Sequence, residues 1–159
     1  MSIQGIEIGV DWDRADTSKQ HALGTQLPRV GGFVMRYVEA GEALVAGNAV
    51  TIDYAEGVDV YEHTDAVAEQ VHGVVGKALA DGEFGWIYVA GRVTGVNCAS
   101  SVAVGNKLVS SSTAGRLASQ TIAGSYAQAE VQSVQAAAHG LPCTAATAES
   151  GNTCTIALG

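Results

Sequence analysis

Positive charge is scarce in this sequence. It has 8 Lys and Arg against 16 Asp and Glu, a formal net charge of −8, and no run of basic residues anywhere. Such a chain repels a phosphate backbone, which argues against nucleic acid as a partner. The same deficit argues against an anionic membrane surface. No stretch approaches the roughly 18 apolar residues of a membrane-spanning helix. The opening residues, Met1 to Glu7, have neither the basic nor the apolar region of a secretory signal, so a chain made and kept in a cytoplasm is expected.

Catalytic and metal-binding patterns are also missing. Histidines stand at 21, 63, 72 and 139, and no two have the spacing of a local metal site. His63 lies near Glu62 and Asp65, which reads as a solvated loop before it reads as a ligand set. Gly73-Val-Val-Gly76-Lys77-Ala78 superficially resembles a phosphate loop. It has two residues between its glycines where four are needed, and Ala78 where a hydroxyl belongs. Asp11, Asp13 and Asp16 faintly suggest a calcium loop, but Ala15, Asp16 and Ala22 occupy positions where the motif needs a ligand, a glycine and a glutamate. No nucleophile elbow occurs. A Cys98–histidine pair would need a proximity that sequence does not show. No catalytic residue, cofactor or metal is therefore assigned.

The three cysteines, Cys98, Cys143 and Cys154, read first as free buried thiols of a reducing compartment. A Cys143–Cys154 bridge across the Thr/Ala/Gly loop is the alternative. Aromatic residues make up 6% of the chain, so most of its 47% hydrophobic content is small, largely Ala and Val. Twenty glycines in such a chain suggest short strands joined by tight turns.

The chain divides at Pro28. Residues 1–28 begin with a short alternating piece, Ile6 to Val10, and then lose apolar periodicity, which reads as an N-terminal arm that a partner would hold. Residues 29–159 form the expected body. Strands are predicted at 33–38, 49–54, 58–61, 71–79, 84–89, 92–96, 107–109, 116–118 and 153–158. Thr64 to Gln70 suits one helical turn. Ser125 to His139 is ambiguous between helix and strand, with its alternation favouring strand. Leu44–Val50 and Val102–Leu108 echo each other around a Gly-Asn pair, which reads as two similar turns.

Within the arm, Trp12 stands among Asp11, Asp13, Arg14 and Asp16. A large aromatic in a polar segment either packs onto its own domain or anchors an interface. These five residues are the candidate partner-binding group.

Several segments carry a family resemblance. They are Arg36 to Val50, Val71-His72-Gly73-Val74-Val75-Gly76-Lys77-Ala78, Gly82-Glu83-Phe84-Gly85-Trp86-Ile87 through Val93, Val104-Gly105-Asn106-Lys107-Leu108 and Thr113-Ala114-Gly115-Arg116-Leu117. In this order they resemble the capsid decoration, or cement, proteins of tailed bacteriophages, over roughly residues 33–118. The resemblance implies an all-β fold, a compact β-barrel or β-tulip. It also implies a homotrimer on the exterior of the matured capsid, made in the host bacterium's cytoplasm, that bridges neighbouring subunits of the major capsid protein. No catalytic residues come with it. The alternatives are another phage structural module, such as a tail or head-fibre domain, and a small enzyme whose site is assembled only by the fold.

Overall fold

The computed structural model describes residues 11–29, 31–54, 59–62, 71–98, 108–119, 145–149 and 153–158. Every regular element among them is a strand: β1 (Gln26–Pro28), β2 (Val34–Ala40), β3 (Ala49–Asp53), β4 (Asp59–Glu62), β5 (Gly73–Val75), β6 (Phe84–Asn97), β7 (Leu108–Ser110), β8 (Leu117–Ser119), β9 (Ala145–Glu149) and β10 (Thr153–Leu158).

Five of these strands close a barrel. Pairing runs β2-β4-β3-β5-β6, and β6 pairs back to β2. Closure removes the open edges that would otherwise invite pairing with other chains. The β2–β6 seam is antiparallel from Val34↔Ala90 to Glu39↔Phe84, whereas β2 and β4 run parallel at Glu39↔Asp59 and Ala40↔Val60. Strand β2 divides one of its edges between two partners. Its first half pairs with β1 and its last residues pair with β4.

Alternation along the strands builds three apolar clusters. Side chains of successive strand residues point to opposite faces. Val38 and Ala40 of β2, Val50 and Ile52 of β3, Val60 of β4, Val75 of β5 and Ile87 of β6 share one cluster with Leu44 and Leu79, which fills the barrel. Met35, Tyr37 and Trp86 lie on the opposite face of the β2–β6 seam and form a second cluster with Phe33, Phe84 and Tyr88. The third cluster joins Val74, Val93 and Val96 to Leu108, Leu117, Ile156 and Leu158, outside the barrel. Because both faces of β2 are covered, Tyr37 and Val38 are adjacent and both fully buried. This explains the imperfect alternation of that strand in the sequence.

Strand β6 is 14 residues long, one strand where two were predicted. Its first half forms the barrel wall and its second half pairs with β10. Gly91 and Gly95, at φ +100° and +73°, let it change course without ending. At Gly91 a Cβ would sit 2.5 Å from Phe33 Cα and 2.6 Å from the Gly32 carbonyl oxygen, so the chain needs glycine there. Between Val93 and Val96 the register with β10 shifts by one residue, a bulge at Gly95.

The expected division at Pro28 falls at the end of a paired strand. Gln26, Leu27 and Pro28 face Arg36, Met35 and Val34 of β2. Trp12, Leu23 and Leu27 pack against Met35, Tyr37 and Trp86. Residues 11–28 are therefore a layer of the body, covering the outer face of the β2–β6 seam. Their apolar side chains are widely spaced because each packs on a wall formed by residues distant in sequence, so no period shows in the sequence. The strand predicted over Val71–Leu79 shrinks to Gly73–Val75, and β9 was not foreseen. The 64–70 turn and the 125–139 segment lie outside the described residues.

Cys98 is disulfide-bonded, which corrects the reading of free thiols. The Cys143–Cys154 alternative involves Cys143, which lies outside the described residues.

Candidate functional site

The candidate group around Trp12 sits on the layer that covers the β2–β6 seam. Asp16 ties that layer down. Its backbone exchanges two hydrogen bonds with Phe84, each 2.8 Å long. Its carboxylate takes the Tyr37 hydroxyl hydrogen bond at 3.3 Å on Oδ2 and meets Arg14 Nε at 3.0 Å on Oδ1. The Tyr37 hydroxyl in turn accepts the Gln20 amide at 3.1 Å. Burial holds the Tyr37 hydroxyl above its ordinary pKa, and the Asp16 charge adds to the rise. His21 packs edge-on to Tyr37 and tilted against Trp86, with ring centroids at 5.0 and 5.3 Å.

Trp12 is half-buried in the same layer, with the Arg29 guanidinium 5.4 Å from its ring centre. Of the two readings of Trp12, the structure shows packing onto its own body. Asp16 is likewise buried. Asp11, Asp13 and Arg14 are exposed. A shallow depression of about 200 Å³ lies among Asp11, Arg14, Asp16, Gln20 and His21. Asp13 is close enough to Tyr88 for its charge to help raise that hydroxyl's pKa, after the larger effect of burial. Chemically the group offers outward carboxylates on a rigid base, an acceptor surface suited to basic side chains.

A second polar cluster joins Asn48, Glu62, Glu42 and Asn97. Asn48 is buried, donates to Glu62 Oε1 and accepts from Asn97 Nδ2 at 2.7 Å. The Glu62 amide donates to Glu42 Oε1 at 2.6 Å. Burial raises the Glu62 pKa, the Glu42 charge adds to this, and the Asn48 hydrogen bond opposes both. These groups join loops to strands, and Gly115 packs so tightly on Asn48 that a Cβ would lie 2.6 Å from its side-chain carbon. In the sequence Gly47-Asn48 reads as a turn, and nothing there marks the Asn48 amide as a buried hydrogen-bonding group. Arg36, to which the sequence reading gave no site role, stands beside a depression lined by Gln26, Val34, Tyr54, His72, Val89 and Ala90. His63 and Asp65 lie outside the described residues.

No family model matches the chain, and no curated protein matches it in sequence. Its fold is similar to a solved structure, the N base of the head fiber protein gp8.5 of bacteriophage phi29, with a TM-score of 0.56 at 13% identity. The match covers 80% of this chain and 94% of that one. The likeness lies in the fold, since at this identity few side chains correspond.

Proposed function

We propose that this protein is a non-enzymatic structural component of a phage head, attached to the capsid exterior. One observation carries the reading: nearly the whole length of a head-fibre base has a similar fold in this chain. The sequence resemblance to decoration proteins points to the same location by a separate route. The partner is the major capsid protein, and the role is to bridge neighbouring subunits, as a homotrimer. Asp11, Asp13 and Arg14 are the outward groups of the attachment surface, and Trp12 and Asp16 hold that surface on the barrel. A closed barrel with few open edges suits a part that must stay folded outside the cell.

The related reading is that the barrel is the base of a head fibre and not itself a cement. The fold likeness to a fibre base favours it. Both readings place the protein on the head and differ in what it carries there.

Co-sedimentation with expanded capsids that lack the protein tests attachment. Wild type is expected to pellet with the capsids. The exposed pair Asp11→Lys and Asp13→Lys together should weaken binding by about tenfold, or about 1.4 kcal/mol, with a smaller difference at high salt. Equal binding by both proteins would remove the acidic group from the interface. No binding by wild type would remove the capsid as partner.

A further inference from the structure

Among the described residues, the apolar filling of the barrel gives way at one end to a polar mouth that carries a cation. Along β2 the inward row reads Val34, Arg36, Val38, Ala40. Val38 and Ala40 belong to the barrel-filling cluster, and Val34 and Arg36 continue the row toward the mouth. The same parity carries β3 from Val50 and Ile52 to Tyr54, and β6 from Ile87 to Val89. Together with Gln26 and His72, these residues line a cavity of about 300 Å³. Barrel mouths are a recurrent place for ligand sites, and this volume is at the small end of their range.

Arg36 is held ready rather than neutralised. Nη1 donates to the Tyr54 hydroxyl at 2.5 Å. Gln26 stands directly across from Arg36 in the β1–β2 register, and with its carboxamide turned so that the oxygen faces the guanidinium, that oxygen accepts from Nε at 3.2 Å and from Nη2. Both partners among the described residues are neutral, so no carboxylate there balances the guanidinium. This is notable in a chain with twice as many acidic as basic residues. His72 is fixed beside it, since its Nδ1 accepts the Ile52 amide at 3.1 Å, which places the proton of the neutral ring on Nε2. The Tyr54 ring meets His72 edge-on at 5.6 Å and is largely exposed, at 57%. Val34, Val89 and Ala90 supply an apolar wall.

A planar guanidinium fits a carboxylate in a two-pronged pair, and the neutral tyrosine and glutamine groups are easily displaced by a charged acceptor. We infer that the barrel mouth is a binding site for a carboxylate borne on a small frame with an apolar flank. Arg36 takes the carboxylate, Tyr54 covers the frame, and Val34 and Val89 receive its apolar side. The carboxylate comes either from a free small acid or from an acidic side chain of a protein segment.

Nitrogen-resolved NMR of the intact chain tests this with four probes. These are phenylacetate, its neutral amide, a capped tetrapeptide with a central glutamate, and the same peptide with glutamine. At least one acid should move the Arg36 Nε–H signal and the Val89 amide at millimolar concentration. Its neutral counterpart should bind at least tenfold more weakly, and Arg36→Gln should lose the same factor. Phenylacetate alone binding identifies a free acid as the source, and the glutamate peptide alone binding identifies a protein segment. If neither acid moves these signals, or acid and amide bind alike, the inference is wrong. That comparison is made within wild type, so it stands even if Arg36→Gln does not fold.

Discussion

The Tyr37 hydroxyl donates to the Asp16 carboxylate at 3.3 Å, and through this bond the N-terminal layer is fastened to a strand of the barrel wall. Tyr37 is fully buried, and its own backbone also holds the layer: its amide donates to Thr25 and its carbonyl accepts from Gly24. One residue of β2 thus anchors residues 16, 24 and 25 at once.

Removing residues 1–28 should abolish cooperative folding. The deletion strips β1 and uncovers Met35, Tyr37 and Trp86, each worth roughly 1.5–3 kcal/mol of burial. Their sum is comparable to a typical domain's whole stability of about 5–15 kcal/mol. Urea unfolding of the truncated chain should show no sharp transition. A truncated protein with the melting curve of wild type would make the layer an appendage.

Tyr37→Phe should cost about 1 kcal/mol, the worth of a typical buried hydrogen bond, and more if Asp16 is left without a substitute donor. The same residue sets an alkaline limit. Its pKa is raised in the fold, so the unfolded chain gives up the proton first. Stability from this group is complete below the ordinary tyrosine pKa of 10.0 and falls as pH rises beyond it. Tyr37→Phe should flatten that alkaline fall in stability-versus-pH measurements.

Glu62→Gln should stabilise the protein at neutral pH by on the order of 0.5 kcal/mol, by removing a partly buried charge and its repulsion from Glu42 while keeping an acceptor for Asn48. The folded chain holds the Glu62 proton more tightly than the unfolded chain. Wild type therefore gains stability from this group as pH falls through the carboxylate range, and loses it as pH rises. The variant should lack that gain. A variant less stable than wild type at pH 7 would show that the charged form is the one the fold needs.

Gly73→Ala should destabilise by about 1–3 kcal/mol, because a Cβ would lie 2.6 Å from the Tyr88 carbonyl oxygen and 2.9 Å from Ile87 Cδ1. Gly82→Ala meets nothing within 4 Å and should cost only its backbone strain at φ +75°. Thermal melts of the pair separate crowding from conformation.

The strands of the barrel were readable where both propensity and turn chemistry agreed: Ala49–Asp53 between Gly-Asn and a polar loop, and Phe84 onward after Asp81-Gly82. The N-terminal layer was not readable. Trp12, Leu23 and Leu27 have no common period because the surface they cover is formed by Met35, Tyr37 and Trp86, distant in sequence. Asp16 looked like part of an acidic, solvent-facing cluster, and only the fold brings Tyr37 to it. The strands predicted at 84–89 and 92–96 leave a gap at Ala90-Gly91, whereas Gly91, like Gly95 within the second of them, is a point where one long strand bends. Arg36 enters the sequence reading only as part of a predicted strand and as the first residue of a resembling segment, with no binding role. Its interest comes from parity along β2 and the absence of a carboxylate partner among the described residues, which are properties of a closed barrel.

The most direct measurement is a cryo-electron microscopy map of the parent virion at a resolution that shows strands. The account predicts density on the outer surface of the head that the five-stranded barrel fits, with Asp11 and Asp13 turned toward the major capsid protein. Density for this barrel only in the tail, or its absence from the particle, would contradict it.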